Sequence, residues 1–149
     1  GVLMTPLMAI AAAVVVLLGA LRTREGGHFA RVFPPLALAL VLVLIVFNKV
    51  GSPQFMTWLA APIALGLIYR RRQWLLPAAL GLALAVLTQL IYPYLYGELL
   101  AASPAMVLVL TLRNLLQIVL LGWAVYALVT SRAPRPSRHP LTTNSTSLE

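Results

Sequence analysis

"LIYRRRQWLLP", residues 67 to 77, places three consecutive arginines between two apolar runs. A charge at the centre of a lipid-embedded helix costs about 2.5 to 3.5 kcal/mol on insertion scales, so Arg70, Arg71 and Arg72 belong where the chain leaves hydrocarbon. The apolar residues on either side then form two membrane passes joined by a basic turn. The rest of the chain is of the same kind. Its 149 residues are 61% hydrophobic and 9% charged, with a mean hydropathy of +0.94, unlike an ordinary soluble globular domain.

Crossing a hydrocarbon core of about 30 Å takes roughly 17 to 25 apolar residues as a helix. Five such segments run approximately Val2 to Leu21, Val32 to Asn48, Pro53 to Tyr69, Trp74 to Tyr92 and Pro104 to Thr130. Nothing has the polar/apolar alternation of a barrel strand, and backbone groups in lipid must be bonded within their own segment, so the expected fold is all-α. It is a polytopic transmembrane bundle of about five spans over residues 1 to 131. Residues 132 to 149 turn to Pro, Ser, Thr and Arg and are expected to form a disordered tail. The chain begins at Gly1 with no basic residues before its first apolar run, which reads as a cut inside a longer protein and not as a signal peptide.

The formal net charge of +8 sits in short clusters between the apolar runs, so it works as an orientation signal and not as a nucleic-acid face. Alternating helices put Arg22, Arg24 and Arg31, the Arg70 to Arg72 turn, and Arg132, Arg135 and Arg138 on one side. By the positive-inside rule that side is cytoplasmic, with the N-terminus outside and the tail inside, in the plasma membrane. The other side carries only Lys49 and Glu98. His28 falls on the cytoplasmic side and is read as exposed or structural. The Asn144 sequon is accidental there. With no cysteine and two distant histidines, no metal site and no cofactor are expected.

Polar residues inside the spans need a reason. Arg113 in "VLVLTLRNLLQIVLLGW" lies roughly 14 Å along its helix from Pro104, in the outer half. Asn114 adjoins it, and Gln117 is one turn on, on the face of Arg113. Thr88, Gln89, Tyr92 and Tyr96 give the fourth span a matching outward polarity, while Tyr94 and Tyr96 also fit an interfacial aromatic belt. Arg113 either snorkels outward or faces an interior hydrated cavity; the neighbouring amides favour the cavity.

At the opposite end from the arginine turn stands "FNKVGSPQFMTWLAAP", residues 47 to 62. Gly51 allows a reversal, Ser52 is a good N-cap and Pro53 suits the first helical position. That is sufficient for a plain helical hairpin. The neighbours add chemistry. A helix N-terminus with Lys49 beside it attracts phosphate, and Gln54 and Trp58, one helical turn apart, offer an amide for hydroxyls and an indole for stacking.

This stretch resembles the Lys-Val-x-Ser-Pro-Gln-[Tyr/Phe]-x-x-Trp-Leu segment of the polyprenyl-phosphate-mannose-dependent alpha-mannosyltransferases, integral membrane glycosyltransferases of the type C superfamily. The match covers residues 47 to 62. The resemblance implies a donor of polyprenyl-phosphate sugar, mannose in that family, a lipid or glycan acceptor of the cell envelope, and a cavity outside the membrane containing Lys49, Ser52, Gln54 and Trp58. Arg113, with Asn114 and Gln117, is added on electrostatic grounds as a second phosphate contact. The family's catalytic acid lies in an early outward loop, whereas this chain has no aspartate and only Glu98 as an outward acid. The expectation is therefore a C-terminal transmembrane portion that needs an N-terminal part for its base, and is inactive alone. A different class also fits: a carrier or flippase-like component that binds an anionic lipid without chemistry.

Overall fold

The computed structural model describes residues 3–48, 53–91 and 104–131. Every element among them is helical: α1 (Met4–Arg24), α2 (Phe29–Phe47), a 3₁₀ helix (Pro53–Leu59), α3 (Ala60–Gln89) and α4 (Pro104–Val129). This is the expected all-α membrane bundle. The tail from 132 onward and the 92–103 connection, with Tyr92, Tyr94, Tyr96 and Glu98, lie outside the described residues, as do Lys49 and Ser52.

α1 runs past the expected Leu21 to Arg24, because its end is built by backbone chemistry and not by hydropathy. Gly26 adopts φ 80°, its N–H bonds to Thr23 O at 3.1 Å, and the Gly27 N–H bonds to Arg22 O at 3.0 Å. These two bonds are the Schellman pattern, which satisfies the last carbonyls of a helix and needs a left-handed residue. The same turn holds the Arg22–Glu25 ion pair, 2.6 Å.

α2 is the centre of the bundle, packed by α1, α3 and α4. Leu38, Ala39 and Leu42 are fully buried, and Pro34 and Pro35 are buried within the helix. α1 lies against it at Gly19, where an added Cβ would come 2.8 Å from Leu36 Cδ1. Otherwise α1 buries only Val15 and turns an apolar face outward, as a helix in lipid can.

Three helices, α1, α2 and α4, are each long and apolar enough to cross a membrane. α3 carries the arginine turn, and it folds back on itself. Arg70 leaves helical geometry at φ −147°, ψ 55°. A Cβ on Gly66 would overlap the Trp74 ring, and one on Gly81 would sit 2.7 Å from Ile63 Cδ1. In an unbroken helix those pairs would be about 12 Å and 27 Å apart. Residues 60–69 and 71–89 are therefore two antiparallel arms. Leu59 keeps helical angles (φ −70°, ψ −24°), so the 3₁₀ helix continues into the first arm. Together they rise about 29 Å, because 3₁₀ geometry adds roughly 2.0 Å per residue in place of 1.5 Å. The second arm rises about 28 Å by the same measure. Each matches the hydrocarbon thickness, and together with α1, α2 and α4 they account for the five expected passes.

The two ends of the bundle differ. At one end the Arg31 charge acts on Arg70, and Arg70 shares a pocket with Tyr126 and Thr130 at the close of α4. At the other, the start of α1 meets the end of α2 and the 3₁₀ helix.

Candidate functional site

α4 turns one stripe inward: Met106, Arg113, Gln117, Leu120, Ala124 and Leu128 are buried. Spacings of three, four and seven residues put them on one helical face. Leu120, Ala124 and Leu128 join the common core. Arg113 and Gln117, only 4% and 5% exposed, extend that face as a polar pair. Snorkelling is thus not the arrangement adopted: the arginine points into protein.

One partner of Arg113 comes from the second arm of α3. Arg113 Nε donates to Thr88 Oγ1 at 3.2 Å, while Thr88 Oγ1 donates to Leu84 O at 2.7 Å. The threonine spends its proton on its own helix and offers a lone pair to the guanidinium. Nearer the arginine end, the Trp74 and Trp123 rings meet edge to face at 5.1 Å and 78°. The two contacts, some fifteen ångströms apart along α4 at about 1.5 Å per residue, fix the register of the antiparallel pair.

Gln117 Nε2 is buried and has no acceptor among the described residues. A buried donor left without a partner costs about 1–3 kcal/mol. Such a group, one turn below a buried cation, is suited to a ligand's oxygen. Replacing it by an isosteric apolar residue, Gln117→Leu, is expected to stabilise the ligand-free protein by roughly 1–3 kcal/mol, seen as a higher melting temperature in detergent. An unchanged or lower melting temperature would mean that the amide is satisfied in the resting protein.

At the end of the bundle away from the arginines, a pocket of about 580 Å³ opens between the start of α1, the end of α2 and the 3₁₀ helix. It is lined by Met4, Thr5, Met8, Leu44, Phe47, Asn48, Phe55 and Trp58. Its size falls in the range of small-molecule sites. Phe55 and Trp58 pack edge to face at 5.0 Å and 67°, leaving Trp58 half exposed.

The 3₁₀ form changes one expectation. With three residues per turn, i and i+3 are eclipsed while i and i+4 are turned about 120° apart. Gln54 therefore aligns with Thr57, whose Oγ1 donates to Gln54 O at 2.6 Å, and Phe55 aligns with Trp58. Gln54 and Trp58 do not share a face. Gln54 is exposed, and so is Asn114, which stands a hundred degrees round α4 from Arg113. The structure thus joins Arg113 and Gln117, adds Thr88 to them, and brings Trp58 to an apolar pocket with Phe55. Thr88 was visible in the sequence as part of the outward-polar series of the fourth span. Phe55 and the α1 methionines carried no polar signal and could be found only from packing. Lys49 and Ser52 lie outside the described residues.

No protein family, curated protein or solved structure matches the chain. No group of histidine, cysteine and carboxylate residues among the described ones could hold a metal ion.

Proposed function

We propose that the chain is the C-terminal transmembrane region of a glycosyltransferase that moves a sugar from a polyprenyl-phosphate donor to an envelope lipid or glycan acceptor. The observation that carries this reading is the buried Arg113–Gln117 pair with its unsatisfied amide donor. The resemblance of residues 47 to 62 supplies the donor class, and mannose as the sugar. The arginine-rich end is assigned to the cytoplasm and the end with the 580 Å³ pocket to the outside of the plasma membrane, by the positive-inside rule.

In the transfer, the acceptor hydroxyl oxygen bonds to the anomeric carbon and the bond from that carbon to the phosphate oxygen breaks. The electron pair leaves on the phosphate and the hydroxyl proton passes to a carboxylate. Charge grows on the phosphate as it departs, where Arg113 and Lys49 stabilise it. The aromatic and methionine walls around Trp58 suit the isoprenoid or the sugar face. By the resemblance, the carboxylate base belongs to an early outward loop N-terminal to these residues, and Glu98 is the outward acid that this chain itself carries.

The test is binding of a polyprenyl phosphate against the corresponding neutral polyprenol by the detergent-solubilised protein. Wild type is expected to prefer the phosphate, and Lys49→Ala and Arg113→Met each to lose on the order of tenfold in that preference. Equal binding of phosphate and alcohol by wild type would remove the donor assignment. The carrier reading rests on the same buried cation and predicts the same binding with no transfer in the full-length protein.

A further inference from the structure

The arginine-rich end holds a second pocket, of about 390 Å³, lined by Arg70, Gln73, Trp123, Tyr126, Ala127 and Thr130. It lies where the turn inside α3 meets the last turn of α4, at the opposite end from the site proposed above. The Arg70 guanidinium can only donate, the Gln73 amide and the Tyr126 phenol can donate, and the Thr130 hydroxyl gives its proton to Tyr126 O at 2.8 Å. Arg70 is half-buried, whereas Arg71 and Arg72 are exposed, and it has no hydrogen bond or ion pair among the described residues. The described carboxylate at this end, Glu25, is taken by Arg22.

The pocket concentrates positive charge that no carboxylate among the described residues offsets. Burial first, and the neighbouring Arg31 charge second, push the Arg70 pKa below its ordinary value, which means that the cation is held at an electrostatic cost. An anion removes that cost. Trp123 forms a fixed wall because its ring is braced on Trp74. Within three residues in sequence of the lining residues Arg70, Gln73 and Thr130, the apolar Ile68, Leu75, Leu76 and Val129 are exposed, which offers apolar surface to a lipid chain.

We propose that this pocket binds the phosphate of an anionic glycerophospholipid, with Arg70 as the principal contact, the Gln73 amide and the Tyr126 hydroxyl as further donors, and the acyl chains lying along the exposed apolar flank. Basic pockets between membrane helices at the cytoplasmic surface take such headgroups, and Arg offers the forked donors that phosphate oxygens accept. The bound lipid bridges the α3 turn and the end of α4, two segments joined by no hydrogen bond or ion pair among the described residues.

The experiment is native mass spectrometry of the whole chain released from detergent with short-chain phosphatidylglycerol, phosphatidylcholine or inorganic phosphate. Phosphatidylglycerol should remain bound and phosphatidylcholine should not. Arg70→Gln should weaken phosphatidylglycerol binding on the order of fivefold or more, with Arg70→Lys intermediate, and Arg24→Gln, which removes the same charge outside the pocket, should leave it nearly unchanged. If Arg70→Gln does not fold, the Gln73→Leu/Tyr126→Phe double variant carries the same expectation. Equal losses in Arg24→Gln and the pocket variants would show diffuse attraction and overturn the proposal. Displacement of the lipid by millimolar inorganic phosphate would overturn its lipid assignment and give the pocket to free phosphate.

Discussion

Gly66→Ala is expected to destabilise the protein by about 1–3 kcal/mol, the ordinary cost of overpacking, because the new methyl group would overlap the Trp74 ring. The ring cannot step aside cheaply. Trp74 is 3% exposed and its far edge is braced by Trp123. Two escapes remain: the arms of α3 splay, or both tryptophans shift and disturb the packing on α4. Either loosens the fold-back at Arg70, so the loss should appear as a lower melting temperature and as protease sensitivity near the arginine turn. The double variant Gly66→Ala/Trp74→Ala supplies the check. Trp74→Ala alone should cost about 3–5 kcal/mol, and adding Gly66→Ala to it should cost far less than in the wild-type background, since the clash is gone. Strict additivity would mean that the two residues do not touch and that α3 does not fold back there.

That fold-back was legible in the sequence for a simple reason: three adjacent arginines cannot remain in hydrocarbon, and each flank alone is long enough for one pass. The ends of the elements were less legible. The close of α1 at Arg24 is set by the positive φ of Gly26 and two backbone bonds, a signal carried by "EGG" and not by hydropathy. The start of the third pass was read as an α-helix, yet Pro53–Leu59 is 3₁₀. A span of this length is stretched toward membrane thickness by the tighter helix, and that tightening moves Gln54 off the face of Trp58.

The polar interior divides along the same line. Arg113 and Gln117 are four residues apart, and helical periodicity alone puts them together. Asn114 is their neighbour in sequence but not in space, since adjacent residues on a helix point a hundred degrees apart. Thr88 needed the register of α3 against α4, which depends on where Trp74 meets Trp123 and so on side-chain shape. The Phe55 and methionine lining of the outer pocket is apolar like most of the chain, and composition cannot separate a pocket wall from a lipid-facing surface.

Under the proposed function, Arg113→Met should lower sugar transfer by on the order of 10²–10³, the usual loss when one donor that stabilises a developing anion is removed from a water-poor site. Methionine matches the bulk of the arginine stem and needs no hydrogen-bond partner of its own, and the melting temperature of the variant is measured beside its activity. Thr88 keeps its bond to Leu84 O, and a loss of transfer at an unchanged melting temperature is assigned to chemistry and not to collapse of the bundle.

The rate of sugar transfer from a radiolabelled polyprenyl-phosphate sugar, compared between wild type and Arg113→Met at matched membrane levels, is the most direct measurement of whether the buried cation of α4 faces the donor phosphate. A drop of at least a hundredfold with unchanged melting behaviour is the expected result. Transfer at the wild-type rate by a well-folded Arg113→Met protein would contradict it.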